Sequence, residues 1–256
     1  MLYGKLPIVF LSAIAAEKRG SINSTIATYI LGNLDNMKNI GIKEMAENCN
    51  VAPSSISRFC KEIGLNGFVE LKDLLQSTEF DYTGFSEDIS IDKRIHTLGE
   101  HIKTSIDMVE DSIETSKLMQ LTKDIQQYDE VAVFGLLKAQ TAAIILQSDL
   151  LMFRKQIYTN ISYAEQINYI VNADSSHLII LFTYTGSYFD YDNQRNILKG
   201  KDIPKIWMVT GQQKEYPKFI SDTLTFSSRQ DYASHPYQLD YVASLIGQEY
   251  AQMQKQ

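Results

Sequence analysis

The stretch Ile42-Lys-Glu-Met-Ala-Glu-Asn-Cys-Asn-Val-Ala-Pro-Ser-Ser-Ile-Ser-Arg-Phe-Cys-Lys-Glu-Ile-Gly64 contains two apolar stripes in quick succession. Ile42, Met45, Ala46 and Cys49 fall at i, i+3, i+4 and i+7, and Ile56, Phe59, Cys60 and Ile63 repeat that spacing. Each set is one face of a helix. The joint between them is only Asn50-Val51-Ala52. Pro53 then stands at a first-turn position, where its missing N–H costs nothing, and Gly64 is placed to end the second helix. Two helices on so short a turn predict a helix-turn-helix. With its apolar stripe turned inward, the second helix presents Ser54, Ser55, Ser57, Arg58, Lys61 and Glu62 outward. Short hydroxyls near a helix N-terminus reach base edges or phosphates, and Arg58 has the fork that addresses guanine bidentately. Lys43 and Lys61 would add phosphate contacts, the salt-dependent component of affinity.

Working outward, Ile26, Ala27, Ile30, Leu31 and Leu34 form an apolar stripe upstream, and Phe68 to Gln76 forms a fourth helix downstream that buries Phe68, Leu71 and Leu75. Residues 1–80 hold 8 Lys/Arg and 8 Asp/Glu, net 8 − 8 = 0, whereas 81–256 hold 16 against 23, net −7. A zero balance is low for a nucleic-acid surface, and apolar helical hairpins also serve as plain core. The DNA-binding expectation therefore rests on a few bases gathered on one face. Ser77 to Ser90 carries four acids, no base and no apolar periodicity, which reads as a linker. The predicted division is 1–77 for the helical DNA-binding domain, 78–90 for the linker and 91–256 for a second domain.

That second domain opens with a long helical stretch. Ile91, Ile95, Leu98, Ile102, Ile106, Val109 and Ile113 form one stripe, and helix is expected on to about residue 125. Short β-rich runs then alternate with helical patterns: strands at 131–134, 156–158, 178–182, 205–209 and 223–226, helices at 139–152, 162–170, 190–199 and 237–253, and a short helix between the last two strands. Such alternation, with five β-rich runs, specifies a parallel sheet with crossover helices. Ligands in such sheets bind beyond the carboxyl ends of the strands. That places Gly135 and Thr183-Tyr184-Thr185-Gly186-Ser187 at a candidate site.

Composition excludes several classes. The chain has 256 residues and a net charge of −7. Its two cysteines, Cys49 and Cys60, lie eleven apart on apolar stripes without a CxxC, and its four histidines, His96, His101, His177 and His235, fit no close-spaced ligand pattern. Neither a disulfide scaffold nor a metal site is expected, and no cofactor. The apolar run Ile8 to Ala16 ends at Glu17-Lys18-Arg19, short of the roughly 20 residues of a membrane span. A reduced, cytoplasmic location is the expectation.

Ile42-Lys-Glu-Met-Ala46, Val51-Ala-Pro-Ser-Ser-Ile-Ser-Arg-Phe-Cys-Lys61, Ile63-Gly-Leu-Asn-Gly-Phe68 and Leu71-Lys72 together resemble the N-terminal helix-turn-helix of the RpiR (MurR) family of bacterial transcription regulators. The likeness runs over about 30 residues in order. Ser55 stands for the family's threonine, Arg58-Phe59 for its RF pair, and Gly64 and Gly67 for its turn glycines. Ala52 replaces the usual serine N-cap and removes an acceptor worth about 1 kcal/mol.

The resemblance implies that the second domain is an α/β SIS (sugar isomerase) domain, a five-stranded parallel sheet in a flavodoxin-like three-layer sandwich, sensing a phosphorylated sugar in a homodimer or homotetramer that reads a palindromic operator. Thr183-Tyr-Thr-Gly-Ser187 then stands where the family has its hydroxyl-rich phosphate loop, with Tyr188 in place of a further threonine. The first loop departs more. Gly135-Leu136-Leu137-Lys138-Ala139 lacks the second glycine and the serine, and Leu137 would crowd a phosphate, although Lys138 offers charge in compensation. The implied effector residues are Gly135, Lys138, Thr183, Thr185, Gly186, Ser187 and Tyr188, in a site altered or weakened. Two alternatives remain at this point. One is a sugar-phosphate isomerase, with Glu165 and His177 the acid and imidazole to nominate. The other is a constitutive regulator whose effector pocket no longer works.

Overall fold

The computed structural model describes residues 5–76, 89–189, 198, 202–231 and 234–255. Among the described residues the N-terminal module is made of the α-helices α1 (Lys5–Ala16), α2 (Ile22–Gly32), α3 (Ile42–Asn48), α4 (Pro53–Glu62) and α5 (Phe68–Gln76), with a 3-10 turn at Leu34–Asn36. The second part runs α6 (Ile91–Ser112), α7 (Thr115–Gln127), β1 (Glu130–Gly135), α8 (Lys138–Leu151), α9 (Tyr163–Asn172), β2 (His177–Phe182), β3 (Lys205–Thr210), β4 (Asp222–Thr225) and α10 (Tyr237–Met253). Helix α1 falls on the apolar run that the sequence marks only as too short for a membrane. It buries Leu6, Val9 and Phe10. No described helix is long and apolar enough to cross a membrane.

The sheet is parallel in the order β1-β2-β3-β4, four strands where the sequence predicts five. The missing strand, 156–158, reaches β1 only at Tyr158, whose N–H donates to the Val131 carbonyl and whose carbonyl accepts from Val133 N, both at 2.8 Å. A two-bond bridge before the turn at Asn160 is too short a ladder to propagate. The long helix is also interrupted. Ile113 takes an extended conformation (ψ 129°), and Glu114 starts α7 afresh. Between β3 and β4 the expected helix is a single turn, Ile220 N–H to the Pro217 carbonyl at 2.9 Å. All of the expected helix at 190–199 except Leu198, and nearly all of the 78–90 linker, lie outside the described residues. Ser90, at the linker's end, caps α6 by accepting from Lys93 N–H at 3.3 Å.

Past their first residues, β1, β2 and β3 are buried on both faces, as in a sheet covered on each side. Val131, Val133, Leu178, Ile180, Phe182, Trp207 and Val209 pack with α7, α8 and α10. Ala132, Phe134, Ile179, Leu181, Ile206 and Met208 face the other way, into a core that also takes in α9 and the whole N-terminal module. Trp207, fully buried, donates its indole N–H to Asp124 at 2.7 Å, so the largest core side chain satisfies its one polar atom.

Candidate functional site

The turn that aims α4 is built from backbone hydrogen bonds. Asn50 sits at φ 53°, in the left-handed region that Asn tolerates. Its N–H donates to the Glu47 carbonyl at 3.0 Å, and Val51 N–H donates to the Ala46 carbonyl at 2.9 Å. This Schellman closure ends α3 and reverses the chain. The same device ends α4: Gly64 at φ 91° donates to the Lys61 carbonyl, and Leu65 to the Cys60 carbonyl. Ala52 is the N-cap and supplies no side-chain bond; Pro53 follows it in the first turn.

Ile56, Phe59, Cys60 and Ile63 are buried, with the Phe59 ring stacked on Phe10 at 6.1 Å. Burial pushes the Cys60 thiol up to about 12, so it is a core group, not a nucleophile. On the opposite side Ser54, Arg58 and Lys61 are exposed, with 64% of the Arg58 side chain in solvent and Glu62 Oε1 3.9 Å from its Nε. Lys43 on α3 is exposed, and Ser57 is half-buried. Ser55 departs from expectation: at 8% exposure it turns toward the protein. It lies one residue before Ile56 on the same side as the stripe, so a period-3.6 face wider than four residues captures it.

At the carboxyl ends of the strands, Gly135 serves packing. A Cβ there would lie 2.5 Å from the carbonyl carbon of Ala139 and 2.9 Å from Gln140 N, because β1 runs straight into the first turn of α8. The loop between them passes through Leu137 at φ 47°. Gly135 N–H donates to Gln140 Oε1 at 3.2 Å, and the Gly135 carbonyl accepts from Gln166 Nε2 at 2.8 Å. Two side-chain amides thus occupy the backbone groups that the first loop would offer a ligand. Lys138 is exposed at the start of α8.

In the second loop Thr185 and Ser187 are half-buried, Thr183 is buried, and Gly186 (φ 65°) is covered by Tyr216 and Lys214. Tyr188 does not line a crevice. It is buried, its hydroxyl donates to Gln166 Oε1 at 2.6 Å, and burial raises its pKa well above the ordinary tyrosine value. Gln140 and Gln166 escape a reading of the sequence. The available signal is a polar residue on the buried face of each helix, Gln166 falling between Tyr163 and Ile170, which stand at i and i+7 with Gln166 at i+3.

His235 closes this end of the domain against Tyr184, ring centroids 4.5 Å apart. Burial, and then the nearby Lys138 charge, lower its pKa from 6.5 to about 4. The folded imidazole is therefore neutral where the unfolded one binds a proton. Stability present above pH 6.5 is lost as pH falls toward 4, by about 3 kcal/mol in total. Thermal melts between pH 7 and 4.5 should show this loss, and His235→Gln should flatten it.

Glu165 and His177 line one open depression of about 300 Å³, with Tyr158, Asn168, Tyr169, Asn172 and Ala173. Glu165 lies in the first turn of α9. His177 is the first residue of β2, the end away from the ligand loops, and its Nδ1 lies 2.8 Å from Asp174. Neither Gly135 nor any residue of the 183–187 turn lines that depression. No group of three or more His, Cys, Asp or Glu side chains among the described residues is arranged to hold a metal.

Residues 15–83 match the model described as "Helix-turn-helix domain, rpiR family". The chain carries an rpiR-family helix-turn-helix domain. It is 23% identical over 166 residues to the HTH-type transcriptional regulator HexR of Escherichia coli K12, a stretch covering 63% of this chain and 57% of HexR. It is 21% identical over 196 residues to an uncharacterized HTH-type regulator of Providencia stuartii, covering 74% of this chain and 70% of the relative. The fold resembles the Vibrio vulnificus NanR protein complexed with ManNAc-6P (TM-score 0.55, 13% identity, 97% of this chain and 92% of that one). It also resembles a solved protein of E. coli CFT073 (TM-score 0.53, 14% identity, 65% and 94%). An rpiR-type helical module joined to a parallel α/β domain is the architecture of this chain.

Proposed function

We propose that the chain is a bacterial, cytoplasmic DNA-binding regulator of sugar metabolism, with 1–77 the reading module, 78–90 the linker and 91–256 the SIS domain for effector and self-association. The observation that carries this reading is the two-sidedness of α4: Ile56, Phe59, Cys60 and Ile63 anchor it while Ser54, Arg58 and Lys61 face solvent on the other side. Lys43 and the half-buried Ser57 extend that surface, and Ser55 supports it from beneath. Duplex DNA is the partner this surface fits, and a homodimer or homotetramer would supply two half-sites. Exposed Ile91, Ile95 and Leu98 along α6 favour such an oligomer.

The effector we infer is a sugar phosphate, for which Thr183, Thr185, Gly186, Ser187 and Lys138 are the contacts, with Gly135 and Tyr188 acting through packing. No catalysis is proposed. The Gln140 and Gln166 bonds to Gly135 favour a second reading, a pocket closed to ligand and a constitutive regulator.

A salt-dependent gel shift on the DNA upstream of its own operon tests the regulator reading. Arg58→Ala should weaken specific binding by about 10- to 100-fold, and Lys61→Ala should lower the salt slope by about 1. Equal footprints for Arg58→Ala and the parent would sink the assignment of α4.

A further inference from the structure

We propose that the first turn of α9 is a coupling joint, so that docking of the helix-turn-helix module and the hydrogen-bond network filling the strand-end crevice around Gly135 form one cooperative unit. The purpose of such a joint rests on the regulator reading above; its existence rests on contacts alone.

One side of the joint belongs to the module. Ser12, in α1, is 0% exposed. Its hydroxyl donates to the Ile161 carbonyl at 2.5 Å and accepts from Tyr163 N–H at 3.1 Å, partners about 150 residues away in sequence. Both of these partners of the buried Ser12 hydroxyl lie across the joint, so lifting α1 off this turn breaks two hydrogen bonds. Phe59, Glu62 and Ile63, at the end of α4, border the same small hollow as Ser162, Tyr163 and Ala164, so the end of the reading helix and this turn share its wall.

The other side belongs to the crevice. Tyr163 donates its hydroxyl to the Tyr188 carbonyl at 3.2 Å, and the two rings meet edge to face at 5.7 Å. Three residues on, Gln166 spends its amide on crevice groups. Its two amide hydrogens go to the Gly135 carbonyl (2.8 Å) and the Asn160 carbonyl (2.6 Å), with Gln140 Oε1 a third, shared acceptor at 3.2 Å, and its Oε1 accepts from Tyr188. Gln140 in turn accepts from Gly135 N–H and donates to Thr159 at 2.7 Å. A phosphate monoester taking up Gly135 N–H must displace Gln140 Oε1, which removes a partner of Gln166 and loosens the turn that holds Ser12. Linkage makes the effect reciprocal: a module held elsewhere, as on DNA, changes the affinity of the crevice.

Backbone amide exchange on the full chain tests this without any ligand. Tyr188→Phe deletes only a hydroxyl on the crevice side. It should speed exchange of residues 5–16 and 161–166 by about 5-fold while leaving 115–127 unchanged. Ser12→Ala should speed exchange of residues 183–189 by a similar factor, and Ser12→Thr, which keeps the hydroxyl, should restore protection. The double variant should show less than the product of the two single effects. Effects confined to each variant's own side, or strictly multiplicative ones, overturn the joint. Coupling seen without any gel shift would instead leave the joint standing and remove the regulator reading.

Discussion

Phe59→Ala will destabilise the N-terminal module by about 3–5 kcal/mol, the range for truncating a fully buried aromatic ring. Phe59 is buried at the centre of the stripe on α4, stacks on Phe10 at an interplanar angle of 26°, and belongs to the core shared by the module and one face of the sheet. Removing the ring leaves a void between α1 and α4, and neither helix can close it without breaking the Schellman turn at Asn50 or the Ser12 contacts. The loss should appear as a drop in the urea midpoint of unfolding, followed by circular dichroism. On the proposed regulator reading, DNA binding should fall with it, since Arg58 is aimed by its neighbour. A change below about 1 kcal/mol would mean that the ring is not the anchor.

Gly135→Ala will cost about 3 kcal/mol or more, although a methyl is the smallest addition possible. Its Cβ would meet backbone atoms of Ala139 and Gln140, and backbone in the first turn of a helix has no rotamer with which to yield. Either α8 moves off β1 or the strand end shifts, and each displaces the Gln140 and Gln166 amides. A thermal melt of the variant measures the cost. Unchanged stability would show that the strand-to-helix junction is looser than its contacts imply.

These two sites also mark what is readable beforehand. The helix-turn-helix is legible because each local signal agrees: the two i, i+3, i+4, i+7 stripes, the three-residue joint, Pro53 and Gly64 all act within a few residues. The parallel sheet is legible for the same reason, since strands buried on both faces read as apolar runs such as Leu178 to Phe182. Reading fails where the outcome depends on distant partners. The run 156–158 has strand composition but only one residue beside β1, and the stripe of α6 continues past Ile113 although the backbone does not. Hydroxyls suit ligands, which places Ser55 and Tyr188 on open surfaces by sequence, whereas each packs inward.

Periodicity and turn chemistry in the chain are sufficient for the helical module, the parallel sheet and the arginine-and-serine side of α4, because those features are set by backbone geometry within a few residues. Tertiary structure decided that Gln140 and Gln166 fill the first loop, that Ser12 ties α1 to α9, and that Glu165 and His177 share a depression that neither Gly135 nor the 183–187 turn lines. Those pairings join residues up to 151 positions apart, and a buried polar group chooses its partner by proximity in the folded state, a quantity that no local pattern encodes.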